Sequence, residues 1–351
     1  MIGRPARRSA VDPAFPFGNR HIGPGHPVLI IAEIGVNHEG SAEVCARMIE
    51  AAVKAGADAI KLQTVDPDEA YAPDTESYAT FSASRLSPDE TAAMFNLARR
   101  QGLEAFTVAG DLRTLDWIDR LDPAGHKISS GLLTHIPLIR HAAHTGRPLL
   151  MSTGMAEVAD IDAAVAAARE QAASGLGLMQ CTSLYPAPAK TLNLAAIGWL
   201  ERRYGVPAGL SDHSLGTDAA VLSVAAGARM IEKHFTLDPS RPGYDHHLSL
   251  DPDGFAEMVR RVRVAETMMG EAKKCPSAAE RKNAGQYRRC LVVRRDLPAD
   301  AVLTEADIGF MRVLPKAATD ALAPSAYYSV LGRRTRRALA QFEPLCAVDL
   351  A

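Results

Sequence analysis

The chain of 351 residues has few cysteines, no long apolar run and almost no net charge. Each scarcity excludes something. Cys45, Cys181, Cys275, Cys290 and Cys346 are odd in number and scattered, without CxxC spacing. That argues against a disulfide framework and a zinc ribbon, and fits a reducing cytoplasm. No stretch of about 18 apolar residues is present, so no membrane span is expected. Arg4, Arg7 and Arg8 are followed by no apolar segment, so no secretory signal is read. A formal net charge of −2 gives no overall basic field for nucleic acid. The run Arg333-Arg334-Thr335-Arg336-Arg337 reads as a solvated charged face.

What is present is repetition. Eight short apolar segments recur between Val28 and His234, starting at Val28, Asp58, Glu104, Gly125, Pro148, Leu176, Pro207 and Ala228. Alanine-rich stretches of helical periodicity separate them, such as Ala42 to Lys54 and Val158 to Ala173. Ser87-Pro88-Asp89-Glu90 is a helix start, with Ser87 as N-cap and Pro88 at the first helical position. Eight strand–helix alternations in about 240 residues predict a (β/α)8 TIM barrel, and an open doubly wound sheet is the runner-up.

The expected organisation is an N-terminal arm (1–27), a barrel (28–270), a linker (271–286) and a small β-rich module (287–351). The stretch from Val65 to Ser87 reads as a long loop after the second strand, a candidate lid.

Polar residues gather at the ends of the strand segments: Glu33, Lys61, Gln63, Lys127, Ser129, Ser130, Ser152, Thr153, Ser211, His213 and His234. In a barrel those ends share one rim, where active sites are built. His213 and His234 on strands seven and eight are either packed core histidines or two ligands of one ion. Two imidazoles with open oxygen positions would suit Mn²⁺ or Mg²⁺. Lys61 and Lys127 either pair with a carboxylate such as Glu33 or cradle a multiply charged anion. Serine hydroxyls, and backbone N–H groups near Gly131 and Gly154, would support such an anion.

The motifs IAEIGVNHEG from Ile31, KLQT from Lys61, KISSG from Lys127, MSTGMA from Met151, CTSLYPAP from Cys181, GLSDHSLG from Gly209 and EKHFTLD from Glu232 resemble, in order, those of the sialic acid synthase family. The part from Tyr287 resembles the family's C-terminal antifreeze-like domain. The resemblance implies a metal-dependent enzyme that condenses phosphoenolpyruvate with an open-chain N-acylated amino sugar and releases phosphate. It implies His213 and His234 as ligands of Mn²⁺ or Mg²⁺. Lys61, Gln63, Lys127, Ser130, Ser152 and Ser211 would hold phosphoenolpyruvate, and Glu33, Tyr185 and Asp245 the sugar. Glu33, Lys61, Lys127, His213 and His234 are the expected catalytic set. The resemblance also implies a domain-swapped homodimer, with Arg312 reaching the acceptor's acyl group.

Ser183 replaces an asparagine found in some sialate synthases and points toward a diacetamido 6-deoxy sugar (legionaminate or pseudaminate type) rather than N-acetylmannosamine. His246 and His247 beside Asp245 read as loop residues.

Three departures stand out. Leu132 occupies a position commonly acidic in the family. Phe106-Thr107-Val108-Ala109-Gly110-Asp111 replaces a Ser-Thr-Pro-Phe pattern, with Asp111 as a possible new charge on the rim. Arg312 lies in Met311-Arg312-Val313-Leu314-Pro315, where the family usually shows Lys-Arg-Pro. The departures leave two other readings open: a non-catalytic sugar- or phosphate-binding relative, and a metal-dependent pyruvate aldolase.

Overall fold

The computed structural model describes residues 14–171, 173–314 and 320–351. The stretch with Arg4, Arg7 and Arg8 lies outside them, as does Pro315 of the Arg312 motif. The chain divides into two compact units, 1–270 and 271–351.

The first unit opens with a hairpin, β1 (Phe15–Phe17) and β2 (Arg20–Ile22), paired antiparallel. Eight parallel strands follow: β3 (Leu29–Gly35), β4 (Ala59–Thr64), β5 (Glu104–Ala109), β6 (His126–Ile128), β7 (Leu149–Ser152), β8 (Leu176–Cys181), β9 (Ala208–Asp212) and β10 (Met230–His234). They form a closed barrel in chain order, and β10 returns to pair with β3. Closure decides against the open sheet.

The helices are α1 (Ala42–Lys54), α2 (Pro67–Ala70), α3 (Glu76–Ser84), α4 (Pro88–Arg100), α5 (Leu112–Asp119), α6 (Ile136–His144), α7 (Val158–Glu170), α8 (Ala196–Tyr204), α9 (Asp218–Ala225) and α10 (Pro252–Met269). Helix α4 starts on the Ser87–Glu90 capping box. Apolar residues on the outer strand faces and inner helix faces make one continuous core, as expected when parallel strands are buried on both sides.

The inside of the barrel holds a second cluster. Phe15, Phe17 and Ile22 of the hairpin pack on Leu29, Ile31, Phe106, Leu150, Met179 and Met230. Phe17 meets Phe106 edge to face at 5.0 Å. The described part of the N-terminal arm is therefore a plug at the strands' N-terminal ends.

The stretch after β4 is not a bare loop. It carries α2, capped by Asp66 with Pro67 at its first position, and α3, capped by Thr75.

In the second unit, α11 (Ala278–Tyr287) occupies the stretch read as linker. β11 (Cys290–Val293) and β12 (Ile308–Met311) pair antiparallel over a small core of Leu291, Val293, Leu303, Ile308, Val330, Leu339, Leu345 and Leu350. The arginine run is a solvated charged face, with Arg333, Arg334, Arg336 and Arg337 exposed and Thr335 buried beneath them; Arg337 also pairs with Glu343 and Asp349, and Arg336 donates to the Leu350 carbonyl. Among the described residues, no helix is long and apolar enough to cross a membrane.

Candidate active site

Strand alternation decides which side chains enter the barrel. On β10, Glu232 and His234 point inward and Lys233 points outward; on β9 and its exit, Ser211 and His213 point inward and Asp212 outward. The outward pair is a buried ion pair. Lys233 Nζ donates to Asp212 Oδ2 at 2.8 Å, both side chains are 0% exposed, and Lys233 also donates to the Ser214 carbonyl. Asp212 Oδ1 accepts from the Ser214 N–H at 2.8 Å and its hydroxyl at 2.7 Å. This clamp fixes the backbone that carries His213.

The inward side chains meet at one carboxylate. Glu232 Oε1 accepts from Lys61 Nζ at 3.1 Å, from Lys127 Nζ at 3.1 Å and from Ser211 Oγ at 3.0 Å. Lys61 also lies 3.3 Å from Glu33 Oε2, and Gln63 Nε2 donates to Glu33 Oε1 at 2.9 Å. All four charged groups are buried.

Burial pushes the Glu232 carboxyl up, but Lys127 and Lys61 outweigh it and hold it well below the usual carboxylate range. Burial lowers Lys61, yet Glu232 and Glu33 outweigh that and raise it. Lys127 is lowered, by burial first and partly restored by Glu232. Burial pushes Glu33 up to about 7, with Lys61 limiting the rise. One carboxylate thus stays ionised while its neighbour titrates near neutrality.

The two lysines therefore converge, as the sequence predicts, but they are not a bare cradle. Glu232 was not singled out from the sequence, although it stands inside the EKH motif two residues before His234. Its period-two spacing from His234 was the available signal.

Several buried polar atoms around this core lack a hydrogen-bond partner: Ser152 Oγ, Ser183 Oγ, Glu232 Oε2 and His234 Nδ1. Buried polar groups are nearly always satisfied, so these atoms are aimed at something that binds. Ser130 Oγ accepts from the Gly154 N–H at 3.0 Å. Gly154 is required here: a Cβ on it would lie 2.3 Å from Ser183 Oγ and 2.7 Å from Ser130 Oγ. Nothing crowds Gly131, so its lack of a side chain is not imposed by packing.

The histidine rings lie 5.2 Å apart, centroid to centroid. His213 Nδ1 is 2.9 Å from the Thr182 carbonyl, which can only accept, so Nδ1 carries the proton and Nε2 faces the site. Burial, with His213 beside it, holds His234 well below the ordinary imidazole value, so it is neutral. Asp245 Oδ2 lies 3.6 Å from His234 Nδ1. Burial lowers His213, but its contacts with Cys181 and the Thr182 carbonyl outweigh that and raise it above the ordinary imidazole value. With its proton released, two imidazole nitrogens, one of them an orphaned buried atom, fit a divalent cation. Among the described residues no cluster of three His, Cys, Asp or Glu forms a complete metal site, which leaves the remaining positions to substrate oxygens and water.

The Tyr185 ring is 4.3 Å from that of His213 and 51% exposed, at the wall of the site. Asp245 is held by Asn37, a buried residue absent from the sequence-based candidates. Asn37 Oδ1 accepts from the Asp245 N–H at 3.1 Å, and its Nδ2 donates to the Phe235 carbonyl and to Ser249 Oγ, each at 3.0 Å.

One expectation is corrected. His246 is no loop residue: it is buried in a 3-10 turn, bonded to Glu39 at 3.0 Å and Thr236 at 2.7 Å. Asp111 lines the rim as the sequence suggests and is also the N-cap of α5, accepting from the Thr114 N–H at 2.8 Å through Oδ1. Arg312 belongs to the second unit, where its guanidinium lies 5.5 Å over the Tyr287 ring.

The core opens into a cavity of about 1070 Å³ at the strands' C-terminal ends. Glu33, Lys61, Gln63, Lys127, Ser130, Ser152, Ser183, Tyr185, Ser211, His213, Glu232, His234 and Asp245 all line it, and so does Leu132. The sequence candidates of the barrel thus converge on one site.

Comparison with known proteins agrees with this architecture. A model of the NeuB family matches residues 48–274, and one of the SAF domain matches residues 288–351. The N,N'-diacetyllegionaminic acid synthase of Legionella pneumophila is 34% identical over 87% of this chain and 89% of its own length. The N-acetylneuraminate-9-phosphate synthase of Mus musculus is 31% identical over 81% of this chain and 83% of its own. The crystal structure of the N-acetylneuraminic acid synthetase of Leptospira borgpetersenii superposes with a TM-score of 0.74 at 31% identity, covering 77% of this chain and 94% of that one.

Proposed function

The chain belongs to the NeuB family, and on that premise we propose that it is a nonulosonic acid synthase, like its relatives, which condenses phosphoenolpyruvate with an open-chain N-acylated amino sugar and releases phosphate. The acceptor is N-acetylmannosamine or a diacetamido 6-deoxyhexose. The observation that carries this reading is the buried Lys61–Glu232–Lys127 junction beside the unpartnered hydroxyls of Ser152 and Ser183. Two fixed cations and short hydroxyl donors suit a substrate carrying both phosphate and carboxylate.

The roles of the side chains follow from their surroundings. Lys61 and Lys127 neutralise the phosphoenolpyruvate anion, with Gln63, Ser130, Ser152 and Ser211 as hydrogen-bonding partners. Glu232 keeps both lysines protonated and aimed. Asp245, Tyr185 and Ser183 orient the sugar. His213 and His234 would hold Mn²⁺ or Mg²⁺, which supplies Lewis-acid polarisation of the aldehyde oxygen when bound. C3 of phosphoenolpyruvate then bonds to the aldehyde carbon, water adds at C2, and phosphate leaves. Adding water liberates a proton, and Glu33, with a pKa near 7, is suited to accept it.

The second unit, with Arg312, serves the acceptor's acyl group in a homodimer. The proposed location is the cytoplasm.

Phosphate release from phosphoenolpyruvate with Mn²⁺, across a panel of N-acylated amino sugars and a no-sugar control, tests the reading. Sugar-dependent release is expected. Binding of phosphoenolpyruvate without release would favour the non-catalytic reading and Leu132 as its cause. Equal turnover with pyruvate would favour an aldolase.

A further inference from the structure

We infer that the acceptor is a neutral amino sugar without phosphate, and that Glu69, Glu76 and Asp111 reject a phosphorylated one. The inference rests on the reading of the site given above and concerns its outer half. The reacting aldehyde must reach the lysine–histidine core at the strand ends, so the far end of the sugar chain lies toward the mouth. In the barrel unit the mouth is built by α2, α3 and the start of α5, and its charged lining residues are Glu69, Glu76, Asp111 and Arg113.

None of these offers a phosphate a free positive charge. Arg113, the mouth's one Lys or Arg among the described lining residues, donates to Glu69 Oε1 at 2.7 Å, with its side chain 81% exposed. Glu76 is exposed and has no ion-pair partner among the described residues. Asp111 is 8% exposed; Oδ1 caps α5, but Oδ2 is buried with no hydrogen-bond partner. The cations deeper in the cavity, Lys61 and Lys127, are committed to Glu232 and Glu33 and to the first substrate.

A phosphate on the sugar's far end would carry about −1.5 to −2 charges at neutral pH. It would meet three carboxylates, and like charges facing each other in a restricted cavity are strongly disfavoured. A neutral sugar instead brings hydroxyl and amide N–H donors, the groups the unpartnered Asp111 oxygen lacks.

The test uses the Mn²⁺-loaded full chain and a matched pair of probes, N-acetylmannosamine and N-acetylmannosamine 6-phosphate, with a 6-deoxy diacetamido sugar alongside. The expected result is a kcat/KM at least about tenfold higher for the neutral member. Turnover confined to the 6-deoxy sugar supports the inference equally, since that sugar has no 6-hydroxyl to carry a phosphate. The double variant Glu69→Lys, Glu76→Lys, which also frees Arg113, should shift the ratio toward the phosphorylated sugar by at least about tenfold. Both positions are exposed on short helices, so the barrel core is untouched. Equal or better use of the 6-phosphate by the wild type overturns the inference, as does an unchanged ratio in the variant. No release with any sugar, phosphorylated or not, removes the underlying reading and is distinguishable from either result.

Discussion

The chemistry rests on single side chains whose environments push neighbouring groups apart. Glu33 and Glu232 are both buried and both touch Lys61, yet Glu232 is held ionised and Glu33 titrates near 7. If Glu33 takes the proton released by water, kcat/KM falls as pH drops below about 7, because only the ionised form can accept it. Glu33→Gln should lose that limb of the pH profile and lower kcat by about 10² to 10⁴ fold. A profile that keeps the limb would assign it to another group. Glu232→Ala leaves two buried ammonium groups without their shared partner. The expected cost is about 3 to 5 kcal/mol in urea unfolding, with added inorganic phosphate recovering more stability in the variant than in the wild type. A loss under about 1 kcal/mol would show that Glu232 does not organise the lysines. At this scale the sequence was partly legible. The lysines and histidines announced themselves by chemistry at strand ends. Glu232 did not, because its role comes from Lys127 and Lys61, which stand 105 and 171 residues away in the sequence. Asp111 was legible as a rim charge but not in its second role, since its Oδ1 also caps α5.

At the scale of elements, period and capping decided what could be read. The Ser87–Glu90 capping box and the apolar strand segments mark their elements unambiguously, and the structure has both. Helices α2 and α3 were missed because they are short and α3 has little amphipathic contrast, although Asp66-Pro67 and Thr75 are cap signals in retrospect. The N-terminal hairpin was illegible as a plug, since its partners Phe106, Leu150 and Met230 come from three distant strands. Its packing gives a clean separation of stability from catalysis. Phe17→Ala should destabilise the chain by about 3 to 5 kcal/mol, the cost of removing a buried aromatic ring. The folded fraction should keep its kcat, because the hairpin closes the end of the barrel opposite the site. A kcat loss in the folded variant would contradict that separation.

For the whole molecule, closure of the barrel is what makes the site. Residues from Glu33 to Asp245 share one cavity only because β10 returns to β3 and brings all eight strand ends to one rim. Eight alternations made closure legible in the sequence. The role proposed for the second unit rests on family resemblance, because no residue pattern in it names a partner. The proposed homodimer predicts a sedimentation mass near twice 37.5 kDa. A fully active monomer would contradict it.

The most direct measurement of the central claim is product stoichiometry. With Mn²⁺, phosphoenolpyruvate and the best sugar of the panel, released phosphate and the new acid are quantified together by colorimetry and mass spectrometry. The account predicts one phosphate per product molecule, a product mass equal to acceptor plus pyruvate, and neither product when sugar or metal is left out. Phosphate release that is indifferent to the sugar, or a product formed from pyruvate without phosphate release, would contradict it.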